Sequence, residues 1–280
     1  MAGVQVAVAS AKGSPGVSTL GLVMGLVWPD PVVVGDLDPA GSDLRGRLPA
    51  LAGEDTASLA AAARHGLSWD LLAGHTQTLS GSCRLLVGRP DRVLSAGVVR
   101  VLAPGLPGTA RAAGVAGIWD VGRLDPGSPA WPAVSACDLV IVVARPTAPD
   151  LAQVIPLAQQ LLEAGLDVGL VVASPRRRRG ARSDEEVAAE VAQRLGGAAV
   201  TLGRMPLDPL GVSMAERVQP RWAGRSALGA AARQLVAAIA ARVTVADSDQ
   251  TRGEGDQVPD RGPREAERLA AAANGRRAGR

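Results

Sequence analysis

Residues 4–19 read VQVAVASAKGSPGVST and constrain this chain more than any other stretch. Val4 to Ala9 is a short run of apolar and small residues, the pattern of a buried strand. It passes through Lys12-Gly13-Ser14-Pro15-Gly16-Val17-Ser18-Thr19 into the apolar stretch Leu20 to Val27, which is long enough for a helix. Strand, glycine-containing loop and helix N-terminus, in that order, make a cradle for phosphate. Backbone N–H groups point inward and the helix dipole favours negative charge.

The common phosphate loop ends in Gly-Lys-Ser/Thr, where the lysine reaches the terminal phosphates and the hydroxyl holds magnesium. Here Gly16 and Ser18 are in place, but Val17 stands at the lysine position. A lysine sits earlier, at Lys12. Of the 30 basic residues, 29 are arginine and Lys12 is the single lysine. The absence of Phe and Tyr, and a lone Asn274, point to strong codon bias in a GC-rich genome, which favours arginine wherever it serves equally well. An ammonium is a compact point charge that a planar guanidinium does not imitate in a tight loop. The loop resembles the deviant Walker A motif, Lys-Gly-Gly-x-Gly-Lys-Ser/Thr, of the MinD/ParA ATPases. It departs from that motif in Ser14 for the second glycine, Pro15 at the free position and Val17 for the second lysine. The resemblance implies that Gly13, Ser14, Gly16, Val17, Ser18 and Thr19 bind the phosphates of ATP, with Ser18 on Mg2+. It also implies that Lys12 reaches across a homodimer to the partner's nucleotide.

Further segments resemble the same family in the same order. Pro31 to Gly35 reads as a second buried strand and ends in Asp36-Leu37-Asp38-Pro39-Ala40-Gly41. This is similar to the Asp-x-Asp-Pro-Gln switch I segment, with Ala40 in place of glutamine. By that resemblance Asp38 orients the attacking water or sits in the magnesium shell. Carboxylates at the C-terminal edge of a strand are well placed for such work, because ligands of open α/β sheets bind there. Ala113 to Trp119 leads into Asp120-Val121-Gly122-Arg123, similar to the Walker B and switch II segment. There Asp120 would hold magnesium through water and the Gly122 amide would follow the γ-phosphate. Arg123 is a further candidate phosphate contact.

Asp138 to Ala144 is the clearest strand, apolar on both faces and so central in a parallel sheet. A helix is expected from Asp150 to Ala164 and a strand from Val168 to Ala173. Where the family places an adenine-reading asparagine, this chain has Ser174-Pro175. After a last strand at Ala198 to Leu202, the loop Met205 to Pro209 would border the base, making Pro206 and Asp208 candidate contacts. Arg176, Arg177, Arg178 and Arg179 form the sharpest charge cluster. By resemblance to ParA they would meet DNA phosphates without reading sequence. The remaining expectations are helices at 55–64, 185–195 and 226–243, a strand at 84–88, and a helix after Pro90 running through Leu102. Residues 66–82 and 104–108 read as turn-rich, and His65 and His75 as structural.

The whole reads as one α/β P-loop NTPase-like domain of the SIMIBI kind over 1–243, a parallel sheet flanked by helices on both faces. From Thr244 the composition changes to Asp, Glu, Gly, Arg and Pro, the pattern of a disordered charged tail over 244–280 with room for a short helix at 263–273. MinD relatives end in an amphipathic membrane-binding helix with bulky apolar residues. This tail offers Leu269 and alanines, so membrane binding is not expected. Isolated Cys83 and Cys137, and the lack of a signal or spanning segment, point to the cytoplasm. A nitrogenase-iron-protein-like reductase needs cysteines beside the switches, and a tyrosine kinase of this fold needs tyrosines; neither pattern is present. The resemblance therefore implies an ATP-binding, dimerising spatial regulator with weak or partner-stimulated hydrolysis. Its process would be chromosome or plasmid partitioning, septum placement, or pilus or secretion assembly. Val17 leaves open a hydrolysis-dead scaffold of the CpaE/TadZ kind.

Overall fold

The computed structural model describes residues 1–13, 15–48, 53–174, 184–218 and 222–254. In chain order the elements are β1 (Gln5–Ser10), α1 (Val17–Val27), β2 (Val32–Asp36), α2 (Leu44–Arg47), α3 (Thr56–Ala62), α4 (Trp69–Gly74), β3 (Gln77–Ser80) and β4 (Cys83–Leu86). There follow α5 (Arg92–Leu102), α6 (Leu106–Ala112), β5 (Ala116–Arg123), α7 (Trp131–Ser135), β6 (Leu139–Ala144) and α8 (Ala148–Glu163). The chain continues through β7 (Val168–Ser174), α9 (Asp184–Arg194), β8 (Val200–Pro206), α10 (Pro209–Glu216), α11 (Trp222–Arg225) and α12 (Ala227–Glu254).

The eight strands form one sheet in the order β3-β4-β2-β5-β1-β6-β7-β8. Every pairing is parallel except the edge hairpin β3–β4. The central strands alternate their side chains between two helix-covered faces, as period-2 geometry demands. Val6 and Val8 pack with Leu20, Val23 and Met24 of α1 and with Leu235 and Ile239 of α12. Ala7 and Ala9 belong to the opposite core, with Val98 and Val99 of α5 and Leu151 and Val154 of α8. Trp119 is fully buried and donates its indole N–H to Gln5 Oε1 at 3.0 Å. The Gln5 amide donates in turn to the carbonyls of Gly3 and Val115, so this buried polar pair has its partners.

Several segments differ from the sequence expectation. Proline reads as a break, yet α6, α7, α8 and α10 each carry a proline in their first two positions. Those positions have no intrahelical N–H bond to lose. Residues 104–108 therefore begin a helix. Within 66–82, Ser68 caps α4 by accepting from the Leu71 amide at 3.2 Å, and Gln77–Ser80 adds an antiparallel edge strand. The last strand runs on to Pro206, so Met205 and Pro206 end β8 rather than lying in a loop. The chain separates at Val243/Thr244 into two units, and α12 is assigned through Glu254. The helix considered at 263–273 lies outside the described residues.

Among the described residues no single helix is long and apolar enough to cross a membrane. The bent pair α5–α6 passes that test only as a pair, and its inward residues Val98, Val99, Leu102 and Leu106 belong to the core.

Candidate nucleotide-binding site

Strand order decides what meets at the C-terminal edge of the sheet. β1 lies between β5 and β6, and β2 lies on the far side of β5. The ends of β1, β5 and β2 are therefore consecutive, with Ser10 opposite Arg123 and Asp36 opposite Asp120. The loop after β1, the switch I segment after β2 and the end of β5 line one cavity of about 500 Å³.

The loop enters α1 at Gly16, whose backbone is left-handed (φ 102°, ψ 30°). A Cβ there would also sit 2.6 Å from Met205 Cε, the movable end of a flexible side chain, so it is the backbone that calls for glycine. α1 has no side-chain cap and no acidic residue in its first turn. Its first N–H groups are thus left for an anion, at the positive end of the dipole. Gly13, Gly16, Val17, Ser18 and Thr19 all line the cavity. The Val17 side chain is 6% exposed and packs in the core with Leu20 and Val8. Ser14 lies outside the described residues.

Asp38 and Asp43 line the cavity, and Asp36 and Asp120 lie buried beside Asp38. Asp36 is 4% exposed and accepts from the Asp38 amide at 3.3 Å. Burial pushes its carboxyl up to about 6, against the opposing hydrogen bond of the Ser42 hydroxyl. Asp120 is 1% exposed and accepts from the Gly122 amide through Oδ1 at 2.9 Å. Its other oxygen, Oδ2, is buried with no hydrogen-bond partner among the described residues. Burial, and next the charge of Asp36, hold this carboxyl well above the usual range, while the Ser18 hydroxyl pulls it down. Asp38 accepts from the Ala40 amide at 2.7 Å and is raised by burial, with Arg92 opposing. Gly122 has φ 60°, and a Cβ on it would lie 2.2 Å from the Asp38 carboxyl carbon. The Asp38 carboxyl can pack this closely on β5 only because that residue is glycine.

No group of three or more His, Cys, Asp or Glu side chains among the described residues is arranged to hold a metal by itself. Magnesium does not ask for one, since it keeps several waters and is completed by substrate phosphates. An orphaned buried carboxylate oxygen at Asp120, beside the Ser18 hydroxyl at the start of α1, fits that kind of ion.

The other expected residues fall in two places. Lys12 is not on the cavity wall; its Nζ lies 3.6 Å from Asp150 Oδ1, in the first turn of α8. Pro206 and Asp208 line a second, largely apolar slot of about 320 Å³, which shares Gly16 and Thr19 with the phosphate cavity. An apolar slot beside a phosphate cradle suits a flat heterocycle. The Asp208 carboxylate accepts from the Gly211 amide at 2.9 Å and the Leu228 amide at 3.1 Å, so it fixes α10 and α12 behind the slot. Arg176–Arg179 lie outside the described residues.

Sequence reasoning passed over Arg47. Its Nη2 donates to Thr19 Oγ1 at 2.9 Å and its Nε to Glu216 Oε1 at 2.7 Å, joining α1, α2 and α10 beside the cavity. Nothing local marks it, because both partners are distant in the chain. Cys83 and Cys137 are free and line neither cavity. Burial pushes the Cys83 thiol up to about 12 and raises Cys137 as well, so both are poor nucleophiles.

No protein-family model matches the chain, and no curated protein matches it. Solved structures do. A ParA family ATPase from Chlorobium tepidum TLS superposes with a TM-score of 0.65 at 18% identity, covering 85% of this chain and 99% of that one. The Pyrococcus furiosus cell division ATPase MinD gives 0.62 at 19% identity, covering 85% and 98%. The septum site-determining protein MinD of Pyrococcus horikoshii OT3, complexed with Mg-ADP, gives 0.60 at 19% identity, covering 83% and 94%. Likeness at these identities speaks for the fold, and the fold of this chain is that of the MinD/ParA-type P-loop ATPases.

Proposed function

We propose that this chain binds ATP with magnesium, dimerises around the nucleotide and acts as a cytoplasmic spatial regulator. The processes in view are chromosome or plasmid partitioning, septum placement, and assembly of a pilus or secretion apparatus. One observation carries the reading: the orphaned Oδ2 of Asp120 beside Ser18, at the foot of an uncapped helix N-terminus. A buried carboxylate oxygen with no partner is costly unless a cation uses it. Ser18 and Asp120 would hold magnesium, which would supply positive charge to the phosphates. In this assignment Gly13, Gly16, Ser18 and Thr19 take phosphates, Asp38 governs the attacking water or the metal shell, and Pro206 backs the base. The solved complex of Pyrococcus horikoshii MinD with Mg-ADP supports the choice of ligand. The solved MinC:MinD complex of Aquifex aeolicus supports looking for a protein partner.

Calorimetric titration with MgATP tests the site. Binding is expected in the wild type and is expected to be lost in Ser18→Ala. Lys12→Ala should retain binding but weaken ATP-dependent dimerisation, read by analytical ultracentrifugation. Loss of binding in neither variant would sink the assignment. A second reading, a hydrolysis-dead scaffold, is favoured by Val17 lying in the core and by Lys12 pairing with Asp150 within its own chain. Binding without turnover, alone or with any partner encoded nearby, would select it.

Arg176–Arg179 are proposed to contact DNA phosphates. If they do, replacing all four by alanine should reduce the slope of log K against log salt by about 3 to 4, near 0.9 per contact. An unchanged slope assigns the cluster to ordinary solvated surface.

A further inference from the structure

The phosphate cavity lacks the lysine that its loop would ordinarily supply, because position 17 is a buried valine. Triphosphate charge in a cavity that already holds Asp38 and adjoins buried Asp36 and Asp120 needs a cation on the protein side. Among the described residues five basic side chains lie near enough to consider, and one of them, Arg145, lines the adjoining slot rather than this cavity. Lys12 is paired with Asp150 and is not on the wall. Arg47 is on the wall, but its guanidinium is engaged with Glu216, Asp43 and Thr19. Arg92 acts on Asp38 and is not on the wall. Arg123 is on the wall, exposed, and its guanidinium makes no ion pair or hydrogen bond with any described residue.

Its placement is fixed by the sheet. Arg123 is the last residue of β5 and stands opposite Ser10, the last residue of β1 before the phosphate loop. The Ser10 hydroxyl donates to the Gly122 carbonyl at 3.3 Å, and the Leu124 amide donates to the Ser10 carbonyl at 2.9 Å, so the backbone on both sides of Arg123 is held to the base of the loop. A guanidinium mounted there presents a fork of donors suited to phosphate oxygens.

We propose that Arg123 is the phosphate-contact cation of this site, giving the terminal phosphate the charge that position 17 does not. The proposal rests on the nucleotide reading above. It narrows Arg123 from a candidate contact to the cation at the terminal phosphate and gives a reason why Val17 is tolerated there.

The test is calorimetric titration of the full chain with MgATP and with MgADP, using Arg123→Ala, Arg123→Lys and the double variant Val17→Lys/Arg123→Ala, with Ser18→Ala as the site control. Arg123→Ala should weaken ATP by about 10- to 150-fold, the range for a lost charge-assisted hydrogen bond. ADP should weaken by clearly less. Arg123→Lys should keep most of the ATP affinity, and the double variant should regain it where its melting curve matches the wild type. Arg123 is exposed, so its variants should melt with the wild type. ATP affinity within threefold of wild type in Arg123→Ala, with Ser18→Ala still inactive, overturns the role of Arg123 and leaves the nucleotide site standing. Equal weakening of ATP and ADP overturns the terminal-phosphate assignment. No nucleotide binding by the wild type overturns both.

Discussion

Asp120→Asn should raise the melting temperature of the nucleotide-free protein at pH 7.5 and abolish its magnesium-dependent nucleotide binding. The two effects have one cause. Asp120 and Asp36 are register neighbours on β5 and β2, both buried, and each is held above the normal carboxylate range by desolvation. A carboxylate taken from water without a cation destabilises the fold that contains it. Asn keeps the shape, still accepts from the Gly122 amide, and can turn its NH2 towards Asp36. Asp36→Asn gives the scale. A rise from 3.8 to about 6 corresponds to about 3 kcal/mol when the group is fully ionised.

The sign of the pH dependence follows from linkage. A carboxyl with a raised folded-state pKa contributes stability that is complete below about pH 4 and is lost as pH rises through about 6. The melting-temperature advantage of Asp36→Asn over wild type should therefore be small near pH 4.5 and grow to a plateau above pH 7. Differential scanning calorimetry across that range reads it. In the wild type, MgATP at pH 7.5 should recover much of the same stability, and in Asp120→Asn it should recover little. A variant that melts at or below the wild type at pH 7.5 would refute the account of a strained acidic pair awaiting a cation.

Gly122→Ala should cost both stability and nucleotide-linked behaviour. The left-handed backbone at φ 60° costs a non-glycine residue about 1–3 kcal/mol. The added methyl would overlap the Asp38 carboxyl, and that clash cannot be relieved by a flexible chain end, because Asp38 is itself tied to the Ala40 amide. Switch I must move away from β5. We expect a melting temperature lower by several degrees, on the scale of about 2–4 °C per kcal/mol for a domain of this size. We also expect protection of switch I from proteolysis by MgATP to be lost. A fully stable variant with normal ATP-linked protection would show that Gly122 and Asp38 do not act as a coupled pair.

The parts of the fold that could be read from sequence are those whose signal is local. Val32–Val34 and Leu139–Val143 are apolar on both faces and need helices on both sides wherever they sit in the sheet. The loop from Lys12 to Thr19 carries its own geometry in its glycine and its following helix. Short elements were harder. α4, α6, α7 and α10 hold five to eight residues' worth of weak signal, and in α6, α7 and α10 an initial proline hides the helix start.

At the site the same division holds. The sequence by itself determined that a glycine-containing loop follows the first strand, that a carboxylate ends the second and that another follows the apolar run of the fifth, because each is read from residues in local order. Only the tertiary structure decided which of those ends are neighbours. Placing β5 between β1 and β2 makes Asp36 and Asp120 a buried pair, sets Arg123 on the wall across from Ser10, and closes Gly122 on Asp38. It also folds Lys12 back to Asp150 and brings Arg47 to Thr19. These relations depend on the order in which parallel crossovers lay down the strands, and distances across a sheet leave no periodic trace along the chain.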